Sequence, residues 1–477
     1  LGANTTGHSN AAVGKSSMRY NTTGLENVAL GMVTLDANTT GDSNTALGHA
    51  ALSSATTADN NTAVGRQALY ANTTGAANTA VGKSALLDNT TGTNNVAMGE
   101  NALANNTTAA QNTGLGQNAL LTNTTGASNV AVGHDALRLN TTASNNIAVG
   151  VDALRANTTG AENTALGGQA LLANTTAANN TAVGYNALAA NTTGTKNMAV
   201  GGYALDANTT ASYNTGLGYA ALSTNTTAAN NTAVGYNAAL NTTTGAGNAV
   251  IGTRAMEANT TGGGNSVMGY LGGNALSTGS NNVLIGPYAG SHSIQYATGD
   301  GTILIGAYTD TTATDSAYAT GIGYNVDAEA GYTTLGNAAS DIRAAHGTAT
   351  WAAVSDERVK KDIEDSTVGL SFINDLRPRT FNYRNKGDIP EEFKGYEEGS
   401  TESYKYSTTN HGFIAQEVKE VIDNHTDIAD GFKMWDVRES GQQEVAEAAL
   451  IPMLTKAVQE LSAKVEELED KLNNKEK

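Results

Sequence analysis

The residue types able to do chemistry crowd into one stretch of this chain. Ser-Asp-Glu-Arg-Val-Lys-Lys-Asp-Ile, Ser355 to Ile363, opens a charged C-terminal part. A serine hydroxyl is a weak nucleophile that needs a base beside it. A lysine can be that base only as the free amine, and the like charges of Arg358 and Lys361 disfavour the ammonium form of Lys360. Five residues apart on one helix, Ser355 and Lys360 would face about 140° away from each other. A pairing therefore requires Ser355 in a loop before the helix. On residue types alone the ordinary reading is that Ser355 caps a helix Asp356–Glu364 and Lys360 is a solvated charge.

The elements around this stretch read as a small α+β unit. Gly369 to Leu376 is amphipathic, Thr380-Phe381-Asn382-Tyr383 is strand-like, and a polar looped insertion runs to about Thr409. His411-Gly412-Phe413-Ile414-Ala415-Gln416-Glu417-Val418 reads as a strand entering a helix. Ile451, Val458, Val465 and Leu472 alternate with Leu454, Leu461 and Leu468 in 3-4 spacing. This predicts a coiled coil over about 445–473. β-Branched a positions with Leu at d lean toward dimers by simple rule.

Everything before residue 290 follows a different rule. From Asn4 a 17-residue unit, N-T-T-[GA]-x-x-N-x-[AG]-[VLMI]-G-x-x-A-[LM]-x-x, recurs sixteen times without insertion. Glycines from Gly14 to Gly269 and asparagines from Asn10 to Asn265 hold one register. A fixed short period signals stacked coils and argues against a compact enzyme. Within each unit a segment such as Asn61-Thr62-Ala63-Val64-Gly65 reads as a short strand. Its flanking positions share one face, and a small residue points to the other. That small residue (with Val250 an exception) implies a closely approaching backbone, either across a thin roll or at a three-fold axis. Ala68-Leu69 and its equivalents supply a second buried layer. Turns are expected at the glycines, where φ > 0 is tolerated, and at the asparagines, which can also stack in ladders. At about 4.8 Å per coil seventeen coils make a rod of roughly 80 Å. The seventeenth keeps Asn282, Val283, Ile285 and Gly286 but loses N-T-T. Beyond it the spacing drifts through Gly306, Gly323 and Gly336, which predicts an irregular β neck over 291–354.

Composition agrees. Fifty-four Gly, 5 Phe and 2 Trp in 477 residues cannot build one large core. Residues 1–350 hold 26 of the 70 charged side chains, so a compositional boundary falls near Trp351. A net charge of −18 argues against nucleic acid or anionic membrane as partner. Without cysteine there is no disulfide framework or thiolate metal site, and no apolar run is long enough to span a membrane. The chain opens in mid-repeat at Leu1, from which an upstream attachment region is expected. Asn-Thr-Thr matches the N-glycosylation acceptor, but a turn of this composition produces the match for free. Threonine rows resemble ice-binding faces, yet adjacent threonines such as Thr73 and Thr74 would point to opposite sides. Calcium would need carboxylates in register, and these are scattered. No cofactor or metal is expected.

The strands Asn95-Val96-Ala97-Met98-Gly99 and Asn146-Ile147-Ala148-Val149-Gly150 resemble the head repeats of trimeric autotransporter adhesins, which are left-handed parallel β-rolls. The period differs and the membrane barrel of such adhesins is missing. Ser355 to Leu472 resembles the C-terminal intramolecular chaperone of phage endosialidase tailspikes and tail fibres, through S-D-x-R-x-K-x-D-I and H-G-x-I-A-Q-E-V. That resemblance implies a domain that trimerises the preceding fibre and then cuts itself off before the motif serine. It places the scissile bond at Val354–Ser355, with Ser355 as nucleophile and Lys360 as general base, and it favours three strands in the coiled coil. Glu357, Arg358 and Asp362 are expected as ion-pair partners, and His411 as a packed or exposed residue.

The expectation is thus a mainly β protein: a parallel β-roll solenoid shaft (1–290), a neck (291–354) and a small α+β chaperone (355–477) ending in a coiled-coil helix. It is read as a homotrimeric virion tail fibre, assembled in the host cytoplasm and acting outside the cell on a host-surface glycan or protein receptor. A bacterial surface adhesin or filament with a retained trimerisation domain is the alternative. A depolymerase tailspike would need a carboxylate pair in a groove, for which the repeats offer no irregularity.

Overall fold

The computed structural model describes residues 2–475 except 339, 349–350, 354, 394, 406, 426–427, 429–431 and 438–440. The chain divides into two compact units, 1–354 and 355–477.

The first unit is a solenoid. Three-residue strands recur every seventeen residues from Ala11–Val13 to Val283–Ile285. They pair parallel and in register, as in Thr62↔Thr79, Ala63↔Ala80 and Val64↔Val81. The stack does not stop at 290. Ile303–Ile305 joins after a longer coil, then Thr320–Tyr324, then Tyr332–Asn337 after a shorter one. Ser340–Ala345 and Ala352–Ala353 close the sheet with antiparallel pairs. The result is one 22-stranded sheet. The longer coil is held by a buried carboxylate: Asp310 Oδ2 accepts from the backbone N–H groups of His292, Ser293 and Ile294 at 3.1, 2.7 and 3.0 Å.

The small central strand residue points into the roll. Ala63, Ala80 and Ala97 are fully buried with the Ala-Leu pair of each coil. A Cβ on Gly114, in the same column, would lie 3.3 Å from the Ala119 carbonyl and 3.4 Å from Leu103. The close backbone is therefore across a thin roll within one chain, and the three-fold axis is not needed to explain it. Val250, Val267 and Leu284 take the column over in later coils. The flanking strand residues face outward and leave an apolar face, with Leu30 48 % and Met198 44 % exposed.

The turns depart from expectation in one respect. The repeated glycines do take positive φ, and a Cβ on Gly82 would sit 2.5 Å from the Gly99 carbonyl. The register asparagines do not. Positive φ falls instead on the buried leucines, such as Leu69 and Leu86, and on variable polar residues such as Gln67 and Ser84. Each costs about 1–2 kcal/mol in isolation. The coil-to-coil hydrogen bonds their amides make, Leu69 N–H to Ala85 O at 3.0 Å for one, hold them there.

The register asparagines form two ladders. In one, Asn89 Nδ2 donates to Asn72 Oδ1 at 2.8 Å and to its own turn carbonyl, Gly92 O, at 3.0 Å. In the other, Asn78 Nδ2 reaches that same Gly92 carbonyl at 2.8 Å, while Asn78 Oδ1 accepts the Asn95 N–H at 3.0 Å. Where both ladders are intact, the turn carbonyl is thus held by its own coil and by the coil before it. The first threonine of each triplet is also used: Thr73 Oγ1 donates to Thr90 O at 3.1 Å, while Thr74 is exposed. At the C-terminal end Leu276 and then Tyr296 replace the ladder asparagine. The fully buried Tyr296 hydroxyl donates to Asn282 Oδ1 at 2.8 Å. Burial pushes its pKa up to about 12.

Among its described residues the second unit has the α-helices α1 (Leu370–Asp375), α2 (Ala415–Asn424) and α3 (Ile451–Asn473), besides short 3-10 turns. Arg379–Phe381 pairs antiparallel with Asn410–Gly412, and Trp435–Val437 with Gln443–Val445. Phe372, Val418, Met434 and Leu450 form its core. Glu417, at the start of α2, accepts from Arg379 Nε at 2.9 Å and Nη2 at 2.5 Å. No helix among the described residues is long and apolar enough to cross a membrane.

Two consequences are testable. Ala55 interrupts the first ladder and leaves the buried Asn38 Oδ1 without a partner. Ala55→Asn restores the donor in a column built for asparagine and is expected to stabilise the solenoid by about 1 kcal/mol; a lower denaturation midpoint would contradict the ladder account. The Arg379 hydrogen bonds hold the Glu417 carboxyl below its usual range of 4.5. Its contribution is then present above that range and lost as pH falls through the folded-state value. Urea midpoints followed by tryptophan fluorescence should separate wild type from Glu417→Gln at pH 7 and converge in acid.

Candidate functional site

The turn at the start of the second unit is built by Asp356. Its Oδ1 accepts the Arg358 N–H at 2.9 Å and caps a single 3-10 turn, Glu357–Val359. The same carboxylate takes the Arg358 guanidinium through Nε at 2.9 Å and Nη2 at 2.6 Å. The pairing holds the Asp356 carboxyl below its ordinary range. The expected helix Asp356–Glu364 does not form, and the capping residue is Asp356, not Ser355. After one turn Lys360 adopts extended backbone, at φ −111° and ψ 150°.

This short turn reverses the geometric objection to the pair. On a continuous helix Ser355 and Lys360 would diverge. With a residue before the cap at one end and an extended residue at the other, the side chains meet. Lys360 Nζ lies 2.7 Å from Ser355 Oγ, within the reach a nucleophile and its base need. Both are exposed. Val354, the expected residue on the other side of the scissile bond, lies outside the described residues. The boundary between the two compact units falls between residues 354 and 355.

The neighbouring charges divide as follows. Arg358 is committed to Asp356, so its charge is largely cancelled where it was expected to act on Lys360. Lys361 and Asp362 approach to 3.9 Å with both side chains well exposed, a contact worth little. His411 is exposed on the strand opposite Thr380. It lines an open cleft with Phe381, Tyr383 and Tyr404. Among the described residues one group has metal-ligand proximity, His134, Asp135 and Asp152. Arg138 and Arg155 already engage its carboxylates.

Sequence reasoning missed two positioning residues. Asp356 carried a signal, as an acid directly before a turn. Glu460 did not: it lies 90 residues from the Leu370 N–H whose hydrogen bond its Oε2 accepts at 2.9 Å. That contact supplies the cap that Gly369 lacks at the start of α1, and it ties α1 to α3.

Compared with known proteins, residues 355–427 match the family model described as chaperone of endosialidase. No curated protein matches the chain. The matched segment begins at Ser355 and contains Lys360 and the strand-to-helix motif ending at Val418. With the β-solenoid before it, the chain fits an endosialidase-type tail fibre with a C-terminal chaperone.

Proposed function

We propose that three copies of this chain assemble into a fibre for host-surface recognition on a virion tail. The C-terminal unit aligns the copies and then releases itself by cutting Val354–Ser355. The observation that carries this reading is the 2.7 Å approach of Lys360 Nζ to Ser355 Oγ at the first residue of the matched segment. Two surfaces support assembly. The outward strand face carries exposed apolar residues along much of the solenoid, including Val28, Ile147, Val200 and Ile251, and extended apolar faces of this kind mark association surfaces. The seven heptad residues of α3, Ile451 to Leu472, are 44–65 % exposed, whereas Ala457 on another face is buried. A heptad stripe of this length is stable when another helix covers it.

The cleavage step balances as follows. Lys360, as the free amine, takes the Ser355 Oγ proton while Oγ bonds the Val354 carbonyl carbon. The amine returns the proton to the Ser355 nitrogen as the C–N bond breaks, leaving an ester. Water then hydrolyses the ester to a Val354 carboxylate and a free Ser355. Both side chains are exposed in the single chain, where Lys360 Nζ donates to Oγ. Neighbouring copies that withdraw the amine from water favour its neutral form. This ties cutting to completed assembly.

Denaturing intact mass is the test. Wild type should yield fragments 1–354 and 355–477. Ser355→Ala should stay whole, and Lys360→Ala should be slowed about 10²–10⁴-fold. A wild type that remains whole, or a Lys360→Ala that cuts at the normal rate, removes the catalytic roles. The first result would leave the C-terminal unit as a permanent trimerisation tip.

A further inference from the structure

The column that follows each coil's glycine changes character along the solenoid. In the early coils it carries Lys15, His49, Arg66 and Lys83, all exposed. In the later coils it becomes aromatic. Tyr185, Tyr203, Tyr219 and Tyr236 touch from coil to coil with ring centroids 5.7, 5.8 and 5.7 Å apart, the first two contacts edge-to-face and the third stacked. Tyr270, Tyr288, Tyr308 and Tyr324 form a second run at 5.4, 5.3 and 5.7 Å. Arg254 lies between the runs, its guanidinium tied to Glu257 at 2.7 Å. The rings occupy two adjacent positions of the repeat, and small residues make room: the Tyr185 ring lies over Gly168 and the Tyr219 ring over Gly202. Tyr185, Tyr219, Tyr236, Tyr270 and Tyr324 remain 50–54 % exposed.

We infer that this tyrosine column is a binding face for an extended neutral glycan. The inference rests on the fibre reading and names where such a fibre engages its receptor. A second copy of the chain is the poorer occupant. Exact 17-residue register places the tyrosines in line with the exposed Lys15 and Arg66, and with Lys83, which pairs with Glu100 at 2.9 Å; a chain–chain contact along that line would have to desolvate these charges. The aliphatic strand face is the separate surface suited to self-association. Tyrosine presents an apolar ring face to the C–H face of a sugar and a hydroxyl to the sugar's own hydroxyl groups. Ring–ring contacts, edge-to-face or stacked, order the tyrosines in advance and lower the entropic cost of binding. The chain's charge of −18 disfavours anionic sugars, and Arg254, between the two tyrosine runs, is already paired with Glu257.

The test applies full-length protein to an immobilised array of neutral hexose oligomers beside sialylated and sulfated ones. Wild type is compared with a triple variant, Tyr185→Thr, Tyr219→Thr and Tyr236→Thr, substitutions the column already tolerates at Thr253. A control carries Tyr20→Thr and Tyr70→Thr, exposed tyrosines outside the column. Expected is binding to neutral oligomers that falls at least tenfold in the triple variant and persists in the control. The inference is overturned if wild type retains no neutral glycan, prefers the anionic ones, or binds equally after the triple substitution. Sedimentation and intact mass of the same samples separate the two readings. A wild type that is trimeric and cut but binds no glycan sinks the glycan face alone. A triple variant that loses its trimer marks the column as a chain–chain interface and also overturns it.

Discussion

The solenoid depends on one constraint: every coil must present its hydrogen-bonding groups in register with the next. The turn carbonyl of each coil is where this is enforced. Gly92 O takes an amide donor from Asn89 in its own coil and another from Asn78 in the coil before. Small buried alanines keep the roll thin enough for those donors to reach. Leucines in the left-handed region aim their side chains inward at a backbone cost that the inter-coil bonds offset. Where the ladder loses a member, at Ala55, Thr242 and Leu276, the asparagine before it keeps a buried oxygen without a partner. The defects mark which contacts matter.

The same uniformity creates an assembly problem. A slip by one unit between neighbouring chains would leave most contacts intact, so the repeats define the coil without defining the alignment of copies. Parallel assembly of non-local strands is also slow and prone to error. In the proposed fibre the second unit supplies what the repeats lack, through the short heptad face of α3 and a core centred on Phe372 and Val418. Glu460 joins the two by capping α1 from α3. Loss of such a clamp after assembly leaves the shaft kinetically trapped.

Much of this was legible in the sequence, because a strict period leaves few architectures. Parallel strands, glycine turns, stacked asparagines and the α+β character of the C-terminal unit all followed from spacing. What escaped was set by contacts that spacing does not encode. The direction of the small strand residue was ambiguous until its packing on the Ala-Leu pair was seen. The run after Ser355 has helical composition, but Asp356 binds Arg358 and closes one tight turn instead, which brings Ser355 and Lys360 together. The tyrosine column was hidden because its members drift between two neighbouring positions of the repeat. Only the fold shows that these share one surface.

In the proposed fibre the shaft cannot align its own chains. Refolding measures this directly. Uncut Ser355→Ala chain and the purified 1–354 fragment would be unfolded in denaturant, diluted together into native buffer in separate vessels, and sedimented. The account predicts that the uncut chain returns to a three-chain species while the fragment gives misregistered aggregates or single chains. A fragment that regains the three-chain state as completely and as fast as the uncut chain would contradict it.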